Sequence, residues 1–166
     1  NDRRFKKKLG GGCILDLGCY PTSLSLLINS AMNKMDICDC NLSNVIKNIG
    51  TTGVEIDSSV ELLFQNGFKS KVKASFQKNI GSKSIIKGNI GEIVINDTWN
   101  GNDKVIIRKT GDNEVKNFDR NKSVYSYQIE EISKNILNGY FKVNYPGMNL
   151  DETLLNMKIL DKWANA

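Results

Sequence analysis

The 166-residue chain has no histidine, only two prolines, and only four arginines among its 23 basic residues. The first absence restricts chemistry most. No histidine base, no Ser-His-Asp or Cys-His arrangement and no imidazole-ligated metal site can be built from these residues. Long apolar runs are missing as well. The longest, Leu24 to Ile28 with Ser25 inside it, falls far short of the roughly 20 residues a membrane-crossing helix needs, so no membrane partner is expected. No charged-then-apolar leader precedes a small-residue cleavage site, and a cytoplasmic location is expected. The chain opens on Asn1 rather than Met and is expected to start inside a longer protein. A G-x-G-x-x-G following a strand is also lacking, so no dinucleotide fingerprint is read in this chain.

What remains is ordinary globular material: 40% hydrophobic, 25% charged, with a formal net charge of +5. This length suits one domain with a core that needs neither disulfides nor metals, and residues 1–166 are read as a single domain. The basic head Arg3-Arg4-Phe5-Lys6-Lys7-Lys8 invites a nucleic-acid reading. No aromatic-interleaved basic motif or recognition helix accompanies it, so no nucleic-acid partner is expected. The four cysteines, Cys13, Cys19, Cys38 and Cys40, could in principle make a thiolate zinc site. On one helix, however, Cys13 and Cys19 would sit about 120° apart, at 100° per residue. Cys38 and Cys40 would share a strand face, which suits packing as well as ligation. Reduced, buried or half-buried thiols are the expectation, and no metal.

Periodicity organises the chain. An apolar segment from Cys13 to about Ser30 reads as helix, interrupted or restarted at Pro21, which cannot donate to the Leu17 carbonyl. From Asp36 to Phe118 the period becomes two. Val54, Ile56, Ser58, Val60, Leu62 and Phe64 alternate with polar residues, as do Phe68, Val72, Ala74 and Phe76 with lysines. A two-residue turn between these strands would mix their faces. A three-residue loop, Gln65-Asn66-Gly67, instead pairs Phe64 with Phe68, Val60 with Val72 and Glu61 with Lys71. Further strands are read at Ser84–Gly88, Glu92–Asn96, Lys104–Lys109 and Glu114–Phe118. Tyr125, Ile129, Ile132 and Ile136 then step by 4, 3 and 4 along a helix ended by Gly139. Asn149 and Glu152 can form a capping box for a last helix, whose Leu154, Leu155, Ile159, Leu160 and Trp163 are expected to face inward. A helix, many strands and two helices make an α+β fold with a mainly antiparallel sheet.

The segment with chemical content is Leu9-Gly10-Gly11-Gly12-Cys13-Ile14-Leu15-Asp16-Leu17-Gly18-Cys19-Tyr20-Pro21. Glycines at a helix entry allow close approach of a ligand or of another backbone. On a continuous helix Asp16 and Tyr20, four apart, share one face. The alternative is plain: a tight helix entry, a surface aspartate and a packed tyrosine.

The run L-G-G-G-x-x-x-D-x-G-x-Y resembles a signature of the glucose–fructose oxidoreductase / inositol dehydrogenase / MocA family, at the start of its C-terminal half. Similar too are Arg4-Phe5 ahead of the glycines, Thr52-Gly53-Val54 opening a strand, and the hairpin from Phe64 to Phe76. Ile86-Lys87-Gly88-Asn89-Ile90-Gly91-Glu92-Ile93, and the ending with Asp151-Glu152-Thr153-Leu154 and Met157-Lys158-Ile159-Leu160-Asp161, extend the resemblance over nearly the whole chain. It implies the C-terminal domain of a two-domain oxidoreductase. That domain is an open, mainly antiparallel sheet with helices on one face, like the C-terminal domain of glyceraldehyde-3-phosphate dehydrogenase. It also implies NAD or NADP as cofactor, bound mainly by a Rossmann domain outside this chain that carries the catalytic lysine. A small-molecule sugar, polyol or related hydroxy compound is the implied substrate. A homodimer or larger assembly through the sheet face is implied as well. The family has a strand ahead of the Arg-Phe segment, and only 9 residues precede Gly10 here, so that strand is expected to be missing.

Carried over by position, Tyr20 is the implied acid/base group, Asp16 a second catalytic residue that orients or positions, and Arg4 a contact to substrate or cofactor phosphate. A tyrosine, with an ordinary pKa near 10, needs a nearby cation to act as a base at neutral pH. For Arg4, a plain surface arginine is the competing reading. For the chain as a whole, the competing class is a non-catalytic binding or assembly module that keeps the fold.

Overall fold

The computed structural model describes residues 2–32, 38–101, 103–119 and 121–166. They fall into two compact units, Asn1–Ile80 with Asn144–Ala166, and Gly81–Val143. The architecture is α+β with every strand pair antiparallel, as the alternating pattern requires. Hydrogen bonding divides the strands between a three-stranded and a four-stranded sheet.

The first unit is built on β1 (Cys40–Ile49), β2 (Glu55–Phe64) and β3 (Lys69–Ser75), in that spatial order. The β2–β3 register places Val60 opposite Val72 and Glu61 opposite Lys71. In the loop the Phe64 N–H donates to the Phe68 carbonyl (2.9 Å) and the Gly67 N–H to the Phe64 carbonyl (3.1 Å). Gly67 is at φ +86°. This is the three-residue hairpin that face purity demands. Val60, Leu62, Phe64, Val72 and Ala74 are all buried on the inner face. The outer face carries the Lys71–Glu61 and Lys78–Asp57 ion pairs, at 3.7 and 2.9 Å.

The sequence pattern does not single out β1 as a strand. Asparagines at 41, 44 and 48 interrupt its alternation, and Asn44 sits in the left-handed region (φ +51°). The pairing with β2 slips between Ser43 and Ile46, a bulge of the kind that re-aims side chains. The strand begins at Cys40, so Cys38, just before it, does not share a strand face with Cys40 as expected.

Three helices cover the inner face of this sheet: α1 (Cys13–Asp16), α2 (Cys19–Met32) and, after the second unit, α4 (Leu150–Asn165). The core joins Cys13 and Ile14 of α1, Leu26 of α2, the inner β2–β3 residues, and Ile159, Leu160 and Trp163 of α4. α4 opens on the expected capping box. The Glu152 N–H donates to Asn149 Oδ1 (3.0 Å), and the Asn149 N–H donates to Glu152 Oε2 (2.8 Å). One expected core residue, Leu154, instead points outward and is 53% exposed. Residues 155, 159 and 163 set the buried stripe, and Leu154 lies about 100° from Leu155 around the helix.

The second unit contains β4 (Ser84–Gly88), β5 (Gly91–Ile95), β6 (Lys104–Lys109), β7 (Asp112–Asn117) and α3 (Val124–Leu137). The strands form a simple meander in sequence order. Its pairs Ile85–Val94, Ile93–Ile107 and Ile106–Val115 put apolar side chains on both faces. α3 forms where its 4-3-4 spacing predicts, capped by Ser123, but none of its residues is buried.

Candidate functional site

The glycine segment is shaped from within the chain. Residues Arg3–Phe5 and Lys7–Leu9 make two short 3-10 turns, and these fold back on the glycines. The Gly11 N–H donates to the Lys6 carbonyl (3.1 Å) and the Gly12 N–H to the Arg4 carbonyl (2.8 Å). A Cβ on Gly11 would lie 2.5 Å from the Arg4 carbonyl oxygen and 2.8 Å from the Lys6 nitrogen. At Gly11 the close approach is therefore that of backbone, and at Gly12 it is that of the Glu55 carboxylate. Their amides are already used, so this segment does not fit the pyrophosphate of a nicotinamide cofactor, which needs free N–H groups at a helix N-terminus.

Asp16 ends α1 and Tyr20 is the second residue of α2, so the two do not share one continuous helix. The chain bends by 51° between Lys7–Asp16 and Cys19–Met32. The break falls at Leu17-Gly18, and the helix restarts at Cys19 with Pro21 in its first turn. A Cβ on Gly18 would lie 2.7 Å from the Trp163 ring and would also meet the Ile14 carbonyl oxygen. The Leu17 carbonyl, which Pro21 cannot reach, accepts from the Tyr20 N–H (3.3 Å). Pro21 thus sits in the first turn of α2, where its missing N–H costs nothing. This bend leaves Asp16 half-buried and the Tyr20 side chain 54% exposed at the start of α2.

Arg4 is held by a residue the sequence did not flag. Its Nε and Nη2 both donate to Asp2 Oδ2 (2.8 and 2.6 Å), and its backbone N–H donates to Asp2 Oδ1 (3.0 Å). The guanidinium lies 5.7 Å from the centre of the Phe76 ring, which in turn packs on Phe5 at 5.2 Å. Hydrogen bonds from Arg4 hold the Asp2 carboxyl down at about 2. In return, the bond to Asp2, then the charges of Asp2 and Asp16, hold Arg4 protonated. Arg4 and Asp16 are therefore brought within electrostatic reach of each other, while Tyr20 lies beyond the bend. Asp2 could have been suspected from its spacing as a cap two residues before Arg4. Phe76 could not, because only the fold brings it there.

Cys13 and Cys40 are buried, and Cys19 and Cys38 are half-buried. Among the described residues no group of three or more Cys, Asp or Glu side chains could hold a metal ion. Burial, then the charges of Glu55 and Asp57, push the Cys13 thiol up to about 12. Burial, then Asp39, pushes Cys40 up to about 11. The thiolate is the nucleophile. Cys13 and Cys40 are therefore expected to resist iodoacetamide in the native chain at pH 8, and to react fully once it is unfolded in urea. Peptide mass mapping after timed alkylation checks this, and labelling of Cys13 in the native chain as fast as in urea would contradict it.

Among the described residues no single helix is long and apolar enough to cross a membrane. No protein-family model matches the sequence, and no curated protein matches it significantly. Solved structures do match. An aldose–aldose oxidoreductase of Caulobacter crescentus, solved with glycerol, superimposes over 100% of this chain and 49% of its own, with TM-score 0.76 and 20% identity. A 3-ketoreductase of Actinomadura kijaniata, solved with NADP and TDP-benzene, covers 96% of this chain and 47% of its own, with TM-score 0.77 and 17% identity. A dehydrogenase of Clostridium difficile covers 90% and 46%, with TM-score 0.68 and 13% identity. The chain spans about half the length of these structures. It has the fold of the C-terminal domain of oxidoreductases of the glucose–fructose oxidoreductase, inositol dehydrogenase and MocA type.

Proposed function

We propose that this chain is the substrate-side C-terminal part of an NAD(P)-dependent oxidoreductase acting on a sugar, polyol or related hydroxy compound. The observation that carries the reading is the L-G-G-G-x-x-x-D-x-G-x-Y segment lying at the sharp bend into α2, in a chain whose full length follows that fold. The segment leaves a half-exposed tyrosine at the head of a 14-residue helix. In this reading Tyr20 exchanges the proton of the reacting hydroxyl, the role a positioned acid/base group fills. Asp16 orients or positions the reacting groups, and Arg4, ion-paired with Asp2, contacts substrate or a cofactor phosphate. The nicotinamide supplies the hydride acceptor or donor and is held mainly by a nucleotide-binding domain outside this chain. The outer face of the three-stranded sheet, with its paired Glu61–Lys71 stripe, serves as a subunit contact.

Two measurements test this. The complete enzyme should oxidise NADH or NADPH in the presence of an aldose or ketosugar. The 166-residue chain alone should show no saturable NADH binding by fluorescence titration, since its glycine amides are bonded within the chain. Micromolar saturable binding by the chain alone would overturn the division of labour proposed here.

A further inference from the structure

Asn156 is placed where the core has no need of an amide. On α4 it lies in the buried stripe that runs on through Ile159, Leu160 and Trp163, and it is 6% exposed. Its Nδ2 donates to the Cys19 carbonyl (3.4 Å), while its Oδ1 is buried without a partner. A half-satisfied buried amide destabilises a fold, and a leucine of nearly the same size would fill the site without that cost. Its orientation follows from its neighbour, since a carbonyl can only accept and so must face the N–H end of the amide. Thr22, three residues after Cys19, is fully buried with its hydroxyl also unpartnered. Among the described residues these two oxygens are the buried side-chain atoms left without a bond. One lies in the first turns of α2 and the other belongs to the residue bonded to that end of the helix.

The Cys19 carbonyl and the Tyr20 N–H belong to one peptide group. Its N–H end donates to the Leu17 carbonyl (3.3 Å), and its carbonyl end accepts from Asn156. Beyond residue 20, the Ser23 hydroxyl donates to the Tyr20 carbonyl (2.8 Å). The Leu17 and Ser23 contacts are local to the turn and move with it. Asn156 comes from another helix, 137 positions along the chain, and ties the turn to the core. Trp163, two turns further along α4, packs on Gly18 but directs its Nε1–H at Ser58, so the hydrogen bond to this peptide falls to Asn156.

We propose that Asn156 is a positioning residue, whose side-chain amide fixes the first turn of α2 and thereby sets where the Tyr20 hydroxyl stands. The proposal rests on the reading of Tyr20 as the acid/base group. Proton transfer needs hydrogen-bond reach to the substrate hydroxyl. A small displacement of the tyrosine therefore slows the chemistry without changing what binds.

Asn156→Leu, Tyr20→Phe and the double variant, made in the complete enzyme, test this. Asn156→Leu removes the clamp together with the orphaned oxygen. It should lower kcat about 10–100-fold, with KM nearly unchanged and a melting temperature no lower than that of the wild type. Asn156→Ala adds no bulk and serves as the second variant; it should lose kcat to the same extent although its melting temperature falls. In the double variant, Tyr20→Phe with Asn156→Leu, kcat should fall no further than in Tyr20→Phe alone, because a ring without a hydroxyl has no proton to misplace. A merely structural asparagine predicts a lower melting temperature with kcat held. That result, beside a Tyr20→Phe variant that does lose kcat, overturns the proposal and leaves the reading of Tyr20 standing. Losses that multiply in the double variant also overturn it, since Asn156 then acts on something other than Tyr20. A Tyr20→Phe variant with wild-type kcat overturns the acid/base reading itself and the positioning role with it, a pattern that no other outcome produces.

Discussion

Trp163→Ala is expected to destabilise the chain by about 3–5 kcal/mol, the usual cost of emptying a large aromatic site in a core. Its burial and two contacts place it at the high end. Trp163 is fully buried. Its Nε1–H donates to Ser58 Oγ (2.9 Å), and the Ser58 hydroxyl donates in turn to the Ile46 carbonyl (2.8 Å) beside the bulge in β1. Its ring also fills the space left by the missing side chain of Gly18. Removing the indole therefore leaves a cavity, costs a buried hydroxyl one partner, and takes away the support of the bend into α2. Trp163→Phe keeps most of the volume and loses the hydrogen bond, and should cost less. Leu154→Ala, on the exposed side of the same helix, should stay within about 0.5 kcal/mol. Urea unfolding of the three variants gives the ranking directly. Equal losses for Trp163→Ala and Leu154→Ala would mean that α4 does not pack as described.

The same tryptophan shows why part of the site was hidden from the sequence. The β2–β3 hairpin could be worked out to the residue, because register is fixed by keeping two faces pure and every residue involved is local. The Asn149–Glu152 capping box is legible for the same reason. The break at Leu17-Gly18 is different. Local propensity points to Pro21 as the weak point of the helix. The restart with Pro21 in the first turn agrees with that reading, but the contact of Gly18 with the Trp163 ring joins residues 145 positions apart, and no window on the sequence contains both. Arg4 tells a similar story, since its Asp2 partner is local but Phe76 arrives only through the sheet. β1 was obscured by its asparagines, one of which sits at the left-handed residue of a bulge. Periodicity placed α3 correctly as a helix, yet it cannot tell whether an apolar stripe meets its own core or another chain. The two situations call for the same spacing.

For the reaction proposed here, Tyr20→Phe in the complete enzyme should lower kcat by about 10²–10⁴-fold, the span of a general acid–base contribution, with KM nearly unchanged. The ring is 54% exposed, and the substitution removes only a hydroxyl, so the first turn of α2 should keep its shape and the melting temperature should barely move. A proton must leave the alcohol as it becomes a carbonyl, and return in the opposite direction. Phenylalanine can do neither, so the loss belongs to the barrier rather than to binding. Asp16→Asn should cost less. The amide keeps the shape of the carboxylate at the end of α1 but removes its negative charge from the neighbourhood of Arg4, whose guanidinium stays protonated either way. Its effect should therefore appear mainly in KM if Arg4 meets an anionic group of the substrate. A tyrosine that merely packs predicts the opposite for Tyr20→Phe, with kcat held and the melting temperature lowered. That result would remove Tyr20 from the chemistry and favour the reading of the chain as a binding or assembly module that keeps the fold without turnover.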